Sequence, residues 1–341
     1  MSARRRLYAQ ATDHAAIMAP AEGLAWVRRH GLLGIAREPG LPDALAEPLG
    51  RDLHRNLAAN LRWVDLFQRA ADALDGIPVC PLKGIHLLAT AYAGDPECRV
   101  LADLDLLVPA GRAGEAAARL CAALGLEESA ASRRTGRWSA HHHHLSGGGA
   151  VIEVHHRLAV RHGAESAWDD LAPRPAEIHD RRVHALDRET TWVHLVAHWV
   201  RHGPFSILRW VEDLLRWREG GIDAARAAAV AKRLGALTTL FAGERALARF
   251  TGEPPPEPLE AAASRAVRRR AAAAERWLWR SLRPDPLAPG AAPDRALPRT
   301  AAAVLLADGP LDAARGLLAK MGERAARLFR GGLFQPPSPR E

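Results

Sequence analysis

Apolar positions along this chain change period three times. Over residues 1–76 they recur at helical spacing, with Leu53, Leu57, Leu61 and Leu66 tracing an approximate stripe and Gly76 ending the segment. Over residues 77–172 short apolar runs punctuated by Pro and Gly predict strands at 77–82, 100–108 and 150–156, with helices over 85–92 and 113–123, the latter stopped by Gly125. Ser146-Gly-Gly-Gly149 predicts a hairpin turn. Pro173 and Pro175 mark a linker, and helices dominate 173–252 from about Thr190 until the prolines at 254–256 interrupt the pattern. Residues 253–341 read as an accessory tail: a basic helix over 261–282, a Pro-rich connector, a helical pair around Gly309-Pro310, and a disordered end from Gln335.

The run 100–108 carries Asp103 and Asp105. In a strand they share one face, with Cα atoms roughly 6.5–7 Å apart, while Leu104 and Leu106 point into a core. Two such carboxylates repel unless neutralised, and their oxygens suit Mg²⁺ or Mn²⁺ far better than zinc. A solvated or arginine-paired strand end is the competing interpretation. Upstream, Lys83-Gly84 lies where a strand turns into a helix; glycine allows close backbone approach, and helix-start N–H groups favour anions. Glu153 lies in a third strand, on one face with Val151 and His155.

The ordered set Pro81-Leu-Lys-Gly84, Tyr92, Arg99, residues 103–108 and 151–158, followed by 193–198 and 208–213, resembles the uncharacterised bacterial nucleotidyltransferases of the DNA polymerase β-like superfamily. The resemblance spans roughly residues 20–250. It implies an α/β (α+β) fold, a polymerase β-like core with a small mixed sheet flanked by helical segments. It also implies a Mg²⁺- or Mn²⁺-dependent enzyme that moves a nucleoside monophosphate from an NTP to an acceptor hydroxyl. Carried over by position, Asp103, Asp105 and Glu153 hold metal, Glu153 serving either as third ligand or in activating the acceptor oxygen. Lys83, Gly84 and Arg99 fall to the nucleotide. The wider superfamily usually has Gly-Ser or Gly-Gly at the phosphate turn where Lys83-Gly84 stands here, so Lys83 either contacts phosphate or pairs with a carboxylate. Arg99 either stabilises developing charge or makes a structural salt bridge. The helical half flanks the sheet, so the resemblance implies His198 and Asp213 as cleft-lining residues, with a purely structural role as the alternative for Asp213.

Histidines form two further groups. His141–His144 and His155-His156 flank the predicted turn; adjacent residues on a strand alternate faces, so four in a row cannot ligate one ion, and strand packing or lining of the cleft is favoured over a zinc site, with His155 best placed to line the cleft beside Glu153. His194, His198 and His202 stack along one helical face, beside tryptophans 192 and 199, and 210 and 217, whose spacing suits helix packing.

Composition narrows the class. With 341 residues, 48% of them hydrophobic, the chain can build its own core without staples. Cys80, Cys98 and Cys121 have no metal or redox spacing and fit a reducing compartment. There is no signal-peptide core and no long apolar span, so a cytoplasmic protein is expected. The net charge of +8 and Arg268-Arg-Arg270 with Trp277 and Trp279 admit an acidic or polynucleotide partner, yet no nucleic-acid-binding signature accompanies them. A peptide, protein or small-molecule acceptor is favoured over RNA. A non-catalytic binding module and a metal-dependent hydrolytic or phosphoryl-transfer enzyme are the alternatives.

Overall fold

The computed structural model describes residues 2–129, 142–161, 164–202, 207–281 and 306–308. Three helices open the chain: α1 (Ala3–Ala16), capped by the Ser2 hydroxyl on the Arg5 N–H, α2 (Pro20–His30) and the 31-residue α3 (Asp43–Ala73). The buried stripe of α3 is Leu45, Leu49, Leu53, Asn60, Phe67 and Ala70. It corrects the expected one, since Leu61 is 63% exposed. Asn60 takes the inward position because its amide is needed there, donating to the Pro96 and Arg99 carbonyls at 2.7 and 2.8 Å.

Behind α3 lies a five-stranded mixed sheet. Its strands are β1 (Cys80–Pro81), β2 (Leu104–Leu107), β3 (Glu127–Glu128), β4 (His142–Gly147) and β5 (Ala150–His155), in the order β1-β2-β5-β4-β3. Only β2 and β5 run parallel. Two strands are shorter than their apolar runs. Pro78 and Pro81 remove ladder donors around β1. Before β2, the Arg99 carbonyl is held by Asn56 and Asn60; strand pairing starts at Leu104, so Asp103 precedes the strand. The β4–β5 turn is the expected hairpin, with φ of 57° at Gly148 and 82° at Gly149, a conformation that favours glycine. Helix α4 (Lys83–Ala89) ends short of Tyr92, and α5 (Ala113–Leu124) packs on β4 and β5.

Two hairpins follow, β6 (Arg157–Arg161) with β7 (Ala164–Ala167), and, after the short α6 (Trp168–Leu171), β8 (Arg174–Ile178) with β9 (Arg181–Ala185). The expected Pro173/Pro175 linker is thus in part a strand, which Pro tolerates in a two-stranded, edge-only ribbon. Helices α7 (Arg188–His202), α8 (Leu208–Glu219), α9 (Ala224–Arg233), α10 (Leu237–Thr251), α11 (Glu257–Ala262) and α12 (Arg265–Ser281) complete the described chain. Asp187 receives the Thr190 N–H at 2.7 Å at the start of α7. Trp192, Trp199 and Trp217 are core residues, at 1%, 1% and 4% exposure. Asp308 closes the N-terminal end of α10, accepting the Leu237 and Thr238 N–H groups. His141, the side chains of Trp277 and Trp279, the Pro-rich connector, the Gly309-Pro310 pair and the end from Gln335 lie outside the described residues.

Candidate active site

Strand register assembles the acidic centre. In the parallel β2–β5 pair Asp105 lies opposite Glu153, and Leu107 opposite His155; in the antiparallel β4–β5 pair His142 lies opposite His155. Leu104, Leu106, Ile152 and Val154 on the other face are fully buried, so the hydrophobic alternation turns the polar set outward together. His155 Nε2 lies 2.8 Å from Asp105 Oδ1 and 3.2 Å from Glu153 Oε2, and His142 Nε2 is 3.8 Å from Glu153 Oε1. Ligand atoms of His142, Glu153 and His155 fall within 4.8 Å of one another, a grouping able to hold a cation. His143, one position on, turns away and meets Glu128 at 2.7 Å, so the histidine run divides between faces.

Lys83 enters from the β1–α4 turn with its ammonium 2.8 Å from Asp105 Oδ1. Its backbone is left-handed, φ 43°, which is costly for a residue with a Cβ. At Gly84 a Cβ would stand 2.5 Å from Leu101 Cδ2, so glycine keeps this turn close to the chain leading into β2. Burial alone would raise the Asp105 carboxyl; Lys83 and the His155 hydrogen bond outweigh it and hold the group well below the usual carboxylate range. Burial would likewise lower His155 and Lys83, but the facing carboxylates raise both. Glu153 is lowered, chiefly by its hydrogen bond with His155. Asp103 goes the other way, raised by burial and by the Asp105 charge.

These groups line a cleft of about 310 Å³ whose opposite wall is helical, with His194, His198 and His202 from α7 and Arg209 and Trp210 from α8. The His198 and His202 rings lie 5.2 and 5.6 Å from Trp210, which is half-buried, packs against the core and also lines the cleft. Arg99 also lines the cleft, but its Nε sits 2.8 Å from Asp213 Oδ1. Asp213 is 3% exposed, accepts the Tyr92 hydroxyl at 2.8 Å, and is placed behind Arg99 rather than on the cleft surface. The cleft therefore brings together Asp103, Asp105, Glu153, Lys83, Gly84, Arg99, His155 and His198, and leaves out Asp213. The sequence pattern names His142 and His194 only as members of histidine groups, and Arg209 only inside a motif, and assigns none of the three a place at the site. A signal existed for each: strand register opposite His155, the four-residue spacing with His198, and the arginine inside the 208–213 motif.

A family profile described as uncharacterised nucleotidyltransferase matches residues 10–252. No curated protein matches the chain. Among solved structures, that of the antibiotic-resistance factor ANT(2'')-Ia is similar at 16% identity and a TM-score of 0.39, covering 51% of this chain and 91% of that one. With most of its length matched, sheet and flanking helices included, this chain belongs to the family of uncharacterised nucleotidyltransferases.

Proposed function

We propose that this protein transfers a nucleoside monophosphate from an NTP to an acceptor hydroxyl, on a peptide, a protein or a small molecule, with release of pyrophosphate. The observation that carries the reading is the register that sets Asp105 beside Glu153 on adjacent parallel strands, in one cleft with Asp103 and the Lys83-Gly84 turn. Mg²⁺ or Mn²⁺ fits this donor set: the oxygens are hard ligands, and Asp103, raised by burial and by its like-charged neighbour, is the group a cation would relieve. Asp103, Asp105 and Glu153 would hold it. When bound, such an ion neutralises the triphosphate and polarises reacting oxygens.

The chain's own groups set the stage for that chemistry. Lys83 and His155 both engage Oδ1 of Asp105, keeping it ionised and fixed in direction. Glu153, held below its ordinary range by His155, is suited to stay charged as a ligand rather than to take a proton from the acceptor. The helical wall faces the sheet across the cleft and closes one of its sides. The thiols of Cys80 and Cys98 accord with a cytoplasmic setting, and no helix among the described residues is long and apolar enough to cross a membrane.

Calorimetric titration of the four ribonucleoside triphosphates, with and without Mg²⁺, tests this reading. Metal-dependent binding by the native protein that disappears in Asp103→Asn supports it. Binding indifferent to metal and to that substitution removes the acidic centre from the assignment. With an acceptor in hand, α-labelled NTP should label the product and γ-labelled NTP should release labelled pyrophosphate; release of labelled orthophosphate would indicate hydrolysis instead.

A further inference from the structure

Five lysine and arginine side chains line the cleft; Arg157 and Arg201 are exposed, whereas Lys83, Arg99 and Arg209 are half-buried or buried, and two of these three are already matched. Lys83 is paired with Asp105 at 2.8 Å and Arg99 with Asp213 at 2.8 Å, so each offers a ligand little uncompensated charge. Arg209 differs. It comes from the first turn of α8 and has no carboxylate within ion-pair distance among the described residues; its Nε, like that of Arg99, is buried without a hydrogen-bond partner there. Its stem is bedded on the end of α2, with Cδ 3.2 Å from where a Cβ on Gly31 would stand, which holds the guanidinium in the cleft wall. Burial and the Arg99 charge both disfavour its ionised form, and Asp213 and Asp103 offset them only in part.

A second observation points to a ligand. His194 is 5% exposed, lines the same cleft, and neither ring nitrogen has a hydrogen-bond partner among the described residues. An imidazole left so costs about 1–3 kcal/mol unless something in the cleft bonds to it. Cationic and polar atoms left unmatched on one wall, facing an acidic centre on the other, describe a receptor for an anion that also brings hydrogen-bonding groups.

We infer that Arg209, rather than Lys83 or Arg99, is the side chain that binds the phosphate chain of the nucleotide. This rests on the nucleotidyltransferase reading above and deepens it. The guanidinium fork matches two phosphate oxygens at once, and the ligand supplies a negative partner at contact distance, where Asp213 and Asp103 act on Arg209 only from beyond ion-pair range. Lys83 and Arg99 become positioning residues, the first for Asp105 and the second for the α8 wall through Asp213.

The test is calorimetric binding of inorganic tripolyphosphate and of the NTPs, each with Mg²⁺, to the full chain and to Arg209→Ala, alongside thermal melting. The expected result is at least a tenfold loss of affinity for both probes, about 1.4 kcal/mol, with the melting temperature unchanged or raised because an unmatched buried charge has gone. Arg209→Lys should recover part of the affinity. Unaltered binding by Arg209→Ala, or a lowered melting temperature with full affinity, overturns the assignment while leaving nucleotide binding intact. If the native protein binds neither probe, the nucleotidyltransferase reading itself fails. Should Arg209→Ala not fold, Arg209→Gln carries the same comparison.

Discussion

Replacing Lys83 separates two effects that the structure superimposes on one residue. Its ammonium is the partner of a carboxylate 3% exposed, and its own side chain is 16% exposed, so the pair is largely out of water. Removing one member of a buried pair costs about 3–5 kcal/mol, because the remaining charge is left without its counter-ion. His155 still bonds Asp105, which favours the lower end of that range for Lys83→Ala. Lys83 also holds φ 43°, where an L-residue pays about 1–2 kcal/mol and glycine nothing, against about 0.5–1 kcal/mol for the greater freedom of glycine in the unfolded chain. Lys83→Gly should therefore be more stable than Lys83→Ala by about 0.5–1 kcal/mol. Urea unfolding at neutral pH measures both. A loss below about 1 kcal/mol in Lys83→Ala would refute the buried-pair argument, and a glycine variant no more stable than the alanine one would refute the strain argument. The double variant Lys83→Ala/Asp105→Asn should lose less than the sum of its singles, since each single leaves a charge stranded.

Three further predictions concern the frame around the cleft. Arg216 donates to Glu212 at 2.8 Å and grips both Asp95 oxygens at 2.7 and 2.8 Å, while Glu212, fully buried, also accepts the Tyr8 hydroxyl of α1; Arg216→Met should destabilise by about 3–5 kcal/mol in urea titration, and a loss under 1 kcal/mol would contradict the network's role. Burial, with Arg29 nearby, pushes His30 down to about 4, and burial does the same for His86. Both are neutral in the folded protein, so their contribution is present above pH 6.5 and is lost as pH falls toward 4, at about 1.4 kcal/mol per pH unit for each group within that window. His30→Gln should flatten that acid slope, and an unchanged slope would show that another group sets it. Cys80 and Cys98 are pushed up to about 12 by burial, so a thiol reagent followed by mass spectrometry should modify Cys121 well before either; rapid labelling of Cys80 in the native protein would mean the sheet opens readily.

Much of the architecture is local in origin. The hairpin turn at Gly148 and Gly149, the α5 stop at Gly125 and the outward alternation of Asp105, Glu153 and His155 all follow from glycine's freedom and the two-residue period of a strand. Those short-range rules also bring out the acidic residues, because a carboxylate inside an apolar strand is conspicuous in one dimension. What they cannot specify is which charge meets which. Lys83 and Asp105 are 22 positions apart, Arg99 and Asp213 lie on different elements, and only the packing of α8 against the chain before β2 makes the second pair. Asp213 looked like a cleft residue for that reason, and Leu61 like a core one, since helical period leaves open which of two adjacent stripes faces inward when a buried amide such as Asn60 is needed by distant carbonyls. Arg209 is the clearest case. In the sequence it is one arginine among many in a strongly basic chain; once folding has matched Lys83 and Arg99 with their carboxylates, the tertiary structure leaves it as the cleft's unmatched guanidinium among these three, because charge compensation is a property of three-dimensional neighbours and not of spacing along the chain.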